Sequence, residues 1–122
     1  MKKQIKGVLI KVKPDGHTTV STMFMDDTLD MYYKELNCTT IDIVSRRIGD
    51  KYYDIVCDDE ALLKDNPICS AYDGSYKPAL YGNIFICNPP TETSNGYCTS
   101  LTEQDLTNVW NNIMIGKVII RY

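Results

Sequence analysis

The sequence predicts an α+β domain: a mainly antiparallel sheet of about five to six strands with two short helices packed on it. Three observations carry this expectation. Runs of β-branched and aromatic residues alternate in polarity, two segments combine helical spacing with capping residues, and turn signals separate them. At 122 residues the chain is read as a single domain spanning 1–122, able to bury about two thirds of the surface that its unfolded form exposes.

From Ile5 to Lys13, Val8, Ile10 and Val12 fall on one side and Leu9, Lys11 and Lys13 on the other, the period of a strand. Lys2, Lys3, Lys6, Lys11 and Lys13 concentrate here, which reads as an edge strand guarded by charge. Pro14-Asp15-Gly16 is a turn, and the β-branched run from Thr18 to Met25 completes a hairpin. Asp27 or Thr28 caps a short helix whose Leu29, Tyr32, Tyr33 and Leu36 share a face, and Asn37 is its left-handed stop.

Thr40 to Ile48 and Lys51 to Cys57 form a second hairpin around Gly49-Asp50, a two-residue turn with glycine first. The pairing sets Arg47 opposite Tyr52 on one face and Arg46 opposite Tyr53 on the other, with Ile43–Val56 and Val44–Ile55 further in. Apolar residues on both faces place this hairpin centrally in the sheet. Residues 58–81 hold Pro67, Pro78 and Asp73-Gly74 without sustained periodicity and read as irregular, with one helical turn near Glu60 to Leu63.

Gly82 to Cys87 is a short strand ended by Pro89-Pro90, and the polar stretch from Thr91 to Thr99 is an exposed loop. The strongest helix signal follows. Thr102 caps it, Asp105 stands where a capping-box partner belongs, and Leu101 staples to Leu106. Leu106, Val109, Trp110 and Ile113 make one stripe, Gly116 ends the helix, and Lys117 to Tyr122 forms a last strand.

Thirteen basic against 16 acidic residues give a formal charge of -3, a balance that argues against general nucleic-acid binding. Cys38, Cys57, Cys69, Cys87 and Cys98 are odd in number and contain no C-x-x-C pair, so they read as reduced thiols rather than disulfides or zinc ligands. No run approaches the length of a membrane span, and the protein is expected in the cytoplasm of a bacterial cell, with no membrane partner and no cofactor.

Catalytic constellations are not legible. His17, the only histidine, follows a turn and reads as solvated, so no nucleophile–base pair can be assembled. Neither phosphate-binding glycine pattern occurs. Asp58-Asp59-Glu60 is a dense carboxylate cluster that reads as a strand-ending turn, the alternative being a Mg²⁺ or Ca²⁺ site, although the spacing is not that of an EF-hand. Nine tyrosines beside two phenylalanines and one tryptophan are the compositional oddity. Arg46, Arg47, Tyr52 and Tyr53 are the candidate binding residues. Their pairing reads as cross-strand packing, as a hot spot for a protein partner, or as a clamp that stacks a base and holds a phosphate.

Lys6-Gly7-Val8-Leu9-Ile10, Asp58-Asp59-Glu60 leading into Leu62-Leu63, Asn66-Pro67, Leu80-Tyr81-Gly82-Asn83-Ile84-Phe85-Ile86 and Ser100-Leu101-Thr102-Glu103-Gln104-Asp105-Leu106 together resemble a family of small proteins containing a domain of unknown function. Its members occur in phages, plasmids and conjugative elements of Gram-positive and gut bacteria. Ala61 stands where that family commonly has glycine. The resemblance implies a setting in mobile elements rather than a mechanism. With the absence of a catalytic constellation and the tyrosine content it leads to the expectation of a non-enzymatic accessory protein of a phage or mobile element that binds and inhibits a host factor in counter-defence, in the manner of anti-CRISPR proteins. The alternative is a sponge that sequesters a nucleotide second messenger of a host defence system. A carboxylate-dependent enzyme is a third reading, and homo-oligomerisation is left open.

Overall fold

A computed structural model describes residues 4–13, 17–60, 69–72, 78–93, 96–115 and 117–121. The elements follow in the order β1 (Gln4–Val12), β2 (His17–Asp26), α1 (Leu29–Leu36), β3 (Ile41–Ile48), β4 (Lys51–Asp58), β5 (Cys69–Tyr72), β6 (Pro78–Tyr81), β7 (Ile84–Cys87), α2 (Glu103–Asn112), β8 (Met114–Ile115) and β9 (Lys117–Arg121). Six strands form the main sheet in the order β3-β4-β7-β1-β2-β9, and β6-β5-β8 form a smaller one. Every neighbouring pair is antiparallel except β2 and β9. The α+β class is therefore the observed one.

Strand alternation divides the core into two layers. Val8, Ile10, Val20, Tyr53, Ile55, Ile84 and Ile86 face α2, which buries Leu106 and Val109 against them, with Leu101 beneath its N-terminus. Ile5, Leu9, Met25, Val56 and Phe85 face the opposite way and are covered by Tyr32 and Leu36 of α1 and by Cys98. The glycine at position 7 makes this second layer possible: a Cβ there would collide with the Phe85 ring and the Ile86 carbonyl.

Helix ends follow local chemistry. Thr28 accepts from the Met31 N–H, and Asn37 closes α1 at φ 53°. Thr102 and Asp105 form a reciprocal capping box on α2. That helix ends at Asn112 rather than at Gly116, because Ile113 is already extended and leads into β8.

The long-range arrangement corrects four expectations. β1 is not a lysine-guarded edge but lies between β7 and β2, with Lys6 reaching Glu103 at 2.7 Å and Lys11 reaching Glu35 at 3.5 Å. β3 is not central; it ends the sheet, and Ser45, Arg46 and Arg47 are exposed. The stretch 58–81 contains β5 and β6, two four-residue strands too short to impose a visible period; the helical turn expected near Glu60 to Leu63 and the Asp73-Gly74 turn lie largely or wholly outside the described residues. The loop 91–99 is exposed at Thr91 to Thr93 but buries Cys98, and the Tyr97 N–H donates to Asp27 at 2.9 Å.

Candidate functional site

The β3–β4 hairpin is built by its turn. Gly49 takes φ 66°, the left-handed conformation that glycine adopts without steric cost. This closes a register in which Ile48 faces Lys51, Arg47 faces Tyr52, Arg46 faces Tyr53 and Val44 faces Ile55. The pairs expected from sequence are formed.

Adjacent pairs point to opposite faces of the sheet, and this separates the four candidate residues. Tyr52 is 63% exposed on the α1 side, opposite the exposed Arg47, whose Nε donates to the Gly49 carbonyl at 3.1 Å. Tyr53 is 1% exposed on the α2 side, beneath α2. Arg46, its partner across the ladder, stays exposed and donates from Nη1 to the Ser45 carbonyl at 2.9 Å. The structure thus presents Arg47 with Tyr52 as one exposed pair, and withdraws the Tyr53 ring from stacking with any ligand in solution.

Tyr53 belongs instead to a polar network that no single motif announced. Asp105, almost wholly buried, accepts from Lys51 Nζ at 2.9 Å, Tyr53 Oη at 3.2 Å, Asn88 Nδ2 at 2.8 Å and the Thr102 N–H at 3.0 Å. Burial alone would raise its pKa, but the Lys51 ammonium, the Thr102 backbone and the Asn88 amide outweigh it and hold the carboxyl well below the usual carboxylate range. Four donors saturate the lone pairs of a carboxylate, so Asp105 serves as an anchor rather than a base. Burial, chiefly, raises the Tyr53 phenol, with Asn108 opposing and Asp105 adding to the effect.

The network borders an open groove of about 850 Å³, lined among others by Lys51, Asn88, Gln104, Asn108 and Asn111. Asn108 donates to both the Ile48 carbonyl and Tyr53 Oη, tying α2 to the hairpin turn. Asn88 gives its amide hydrogens to the Ser100 carbonyl and to Asp105, and its own oxygen is buried without a hydrogen bond.

The acidic cluster forms a turn. Asp58 Oδ1 accepts from the Glu60 N–H at 2.9 Å, and Thr40 Oγ1 donates to Glu60 at 3.2 Å. Among the described residues, no three His, Cys, Asp or Glu side chains converge as a metal ion would require. The side chain of His17 lies outside the described residues, although its backbone opens β2.

Residues 5–113 match the model of a protein family described as Domain of unknown function (DUF3846). No curated protein and no solved structure matches the chain.

Proposed function

We propose, for a chain that belongs to the DUF3846 family, that it is a non-enzymatic accessory protein of a phage or other mobile element, and that it binds and inhibits a host factor in counter-defence. The observation that supports this reading is the exposed Tyr52–Arg47 pair beside the turn of the β3–β4 hairpin. Tyrosine offers a large apolar face at low entropic cost and arginine a forked donor, the two chemistries that dominate protein–protein hot spots. The pair stands on a rigid support, because Asn108 and Asp105 pin the strand immediately behind it.

Immobilised protein is expected to retain one stoichiometric partner from host lysate, and Arg47→Ala combined with Tyr52→Ala to lose it. Equal capture by the double variant, or no stoichiometric partner for the wild type, overturns the reading. The nucleotide-sponge alternative draws less support, since the two Arg–Tyr pairs face away from each other and only Tyr52 offers an open ring. A thermal shift with cyclic nucleotides, lost in Arg46→Ala with Arg47→Ala, would restore it.

A further inference from the structure

The outer edge of β3 is partly masked by its own side chains. In a hairpin with a two-residue turn, Ile48 and Lys51 face each other across the ladder, and alternation then directs the N–H and C=O groups of Ile41, Ile43, Ser45 and Arg47 away from β4. Two of these outward groups are intercepted locally. Asp42 Oδ1 accepts from the Ile43 N–H at 2.9 Å, and Arg46 Nη1 donates to the Ser45 carbonyl at 2.9 Å. Among the described residues no strand pairs with this eight-residue edge; such an edge is a template for another strand, and here it is masked in part by one acid and one base placed symmetrically about Val44.

We propose that β3 pairs antiparallel with β3 of a second copy of this chain, about a two-fold axis passing through Val44. Antiparallel pairing that keeps each face of the sheet continuous with itself requires even-numbered residues to face even-numbered ones. Centred on Val44, this register sets Val44 against Val44, Ile43 against Ser45 and Asp42 against Arg46, each heteropair occurring twice. Ile43 and Ser45 are the residues whose outward groups are masked in the single chain. On pairing, the Ile43 N–H passes from Asp42 to the opposite Ser45 carbonyl, and Arg46 releases its own Ser45 carbonyl. The freed carboxylate and guanidinium then stand opposite each other across the new ladder. Charge complementarity selects the second copy as occupant: the same two side chains that shield the edge are the ones that match it to itself. The half-buried Val44 side chains meet at the axis, where non-hydrogen-bonded positions bring Cβ atoms closest. A single strand edge makes a small interface, so the dimer is weak and concentration-dependent.

Sedimentation velocity of the purified full chain, from low micromolar to near-millimolar concentration, is expected to show a reversible monomer–dimer equilibrium. Asp42→Arg and Arg46→Asp each put like charges opposite one another at two places, and each lowers the association constant by about tenfold or more. Mixing the two variants restores association as a heterodimer, because one chain then carries two arginines and the other two aspartates in register. A wild type that stays monomeric throughout, or variants whose mixture associates no better than each alone, overturns the proposal. Circular dichroism of both variants, whose altered side chains are exposed, confirms that the fold is retained. Neither Arg47 nor Tyr52 is altered and no host factor is present, so failure here leaves the proposed host-factor binding standing.

Discussion

Tyr53 donates its phenolic hydrogen to Asp105 across 3.2 Å, joining residues 52 positions apart in a buried contact. It links the hairpin to the helix cap, and its loss is therefore felt by both. Asp105→Ala removes the acceptor for four donors and half of the capping box, and is expected to cost about 3 kcal/mol in urea denaturation. Tyr53→Phe keeps the ring and is expected to cost about 1 kcal/mol. Equal effects of the two changes would show that Asp105 is not the hub.

Acid sensitivity follows from the same carboxyl. Its folded pKa lies below the unfolded value, so its stabilisation is fully present above the ordinary carboxylate range, near pH 4, and is lost as pH falls toward the folded value. Stability of the wild type should therefore decline below about pH 4, and Asp105→Asn should be weaker at neutral pH with a shallower acid limb. Equilibrium unfolding at a series of pH values measures both.

Gly49→Ala should destabilise the protein by at least about 1 kcal/mol. Alanine must hold its backbone at φ 66°, and its added methyl would collide with Asn108, displacing the amide that holds Ile48 and Tyr53. Thermal unfolding of the variant checks this, and an unchanged Tm would mean that the turn can relax without α2.

Thiol chemistry distinguishes the cysteines. Burial, with Asp42 nearby, pushes Cys57 up to about 11. A hydrogen bond with Cys98, followed by burial, raises Cys87 further, and both of those residues are fully buried. At pH 8 iodoacetamide should label Cys57 about a hundredfold more slowly than a free thiol. Cys87 and Cys98 should react only as the chain unfolds. Peptide mapping over time reads each site separately, and rapid labelling of Cys98 would contradict its burial.

Much of the local structure was legible because it is decided by near neighbours. The two-residue turn at Gly49-Asp50 sets which β3 residue meets which β4 residue, and the sequence around Thr28, Asn37, Thr102 and Asp105 sets the helix ends. Strand order was not legible, because nothing local tells β1 that β7 will come to lie beside it or leaves β3 at the rim. β5 and β6 were hidden for a different reason: their four residues apiece are flanked by proline and Asp-Gly signals that dominate the pattern. The candidate site was half legible. Arg47 and Tyr52 pair as the sequence implies, but Tyr53 is claimed by Asp105, whose donors Lys51 and Asn88 come from distant parts of the chain. The role of Asp42 is not legible in the sequence, because it depends on β3 being an edge.

The central position of β1 has a consequence in time rather than in space. A ribosome releases β1 and β2 early, but β7 begins only at Ile84, several seconds later at about 5 to 20 residues per second. Any sheet formed from β1 and β2 in that interval would have β1 as a rim, and Lys6 and Lys11 are the only charges within that strand. Lysine on an open strand edge disfavours pairing with another chain, so these two side chains are suited to protect β1 until β7 arrives. In the finished molecule that rim is gone, because β7 covers it.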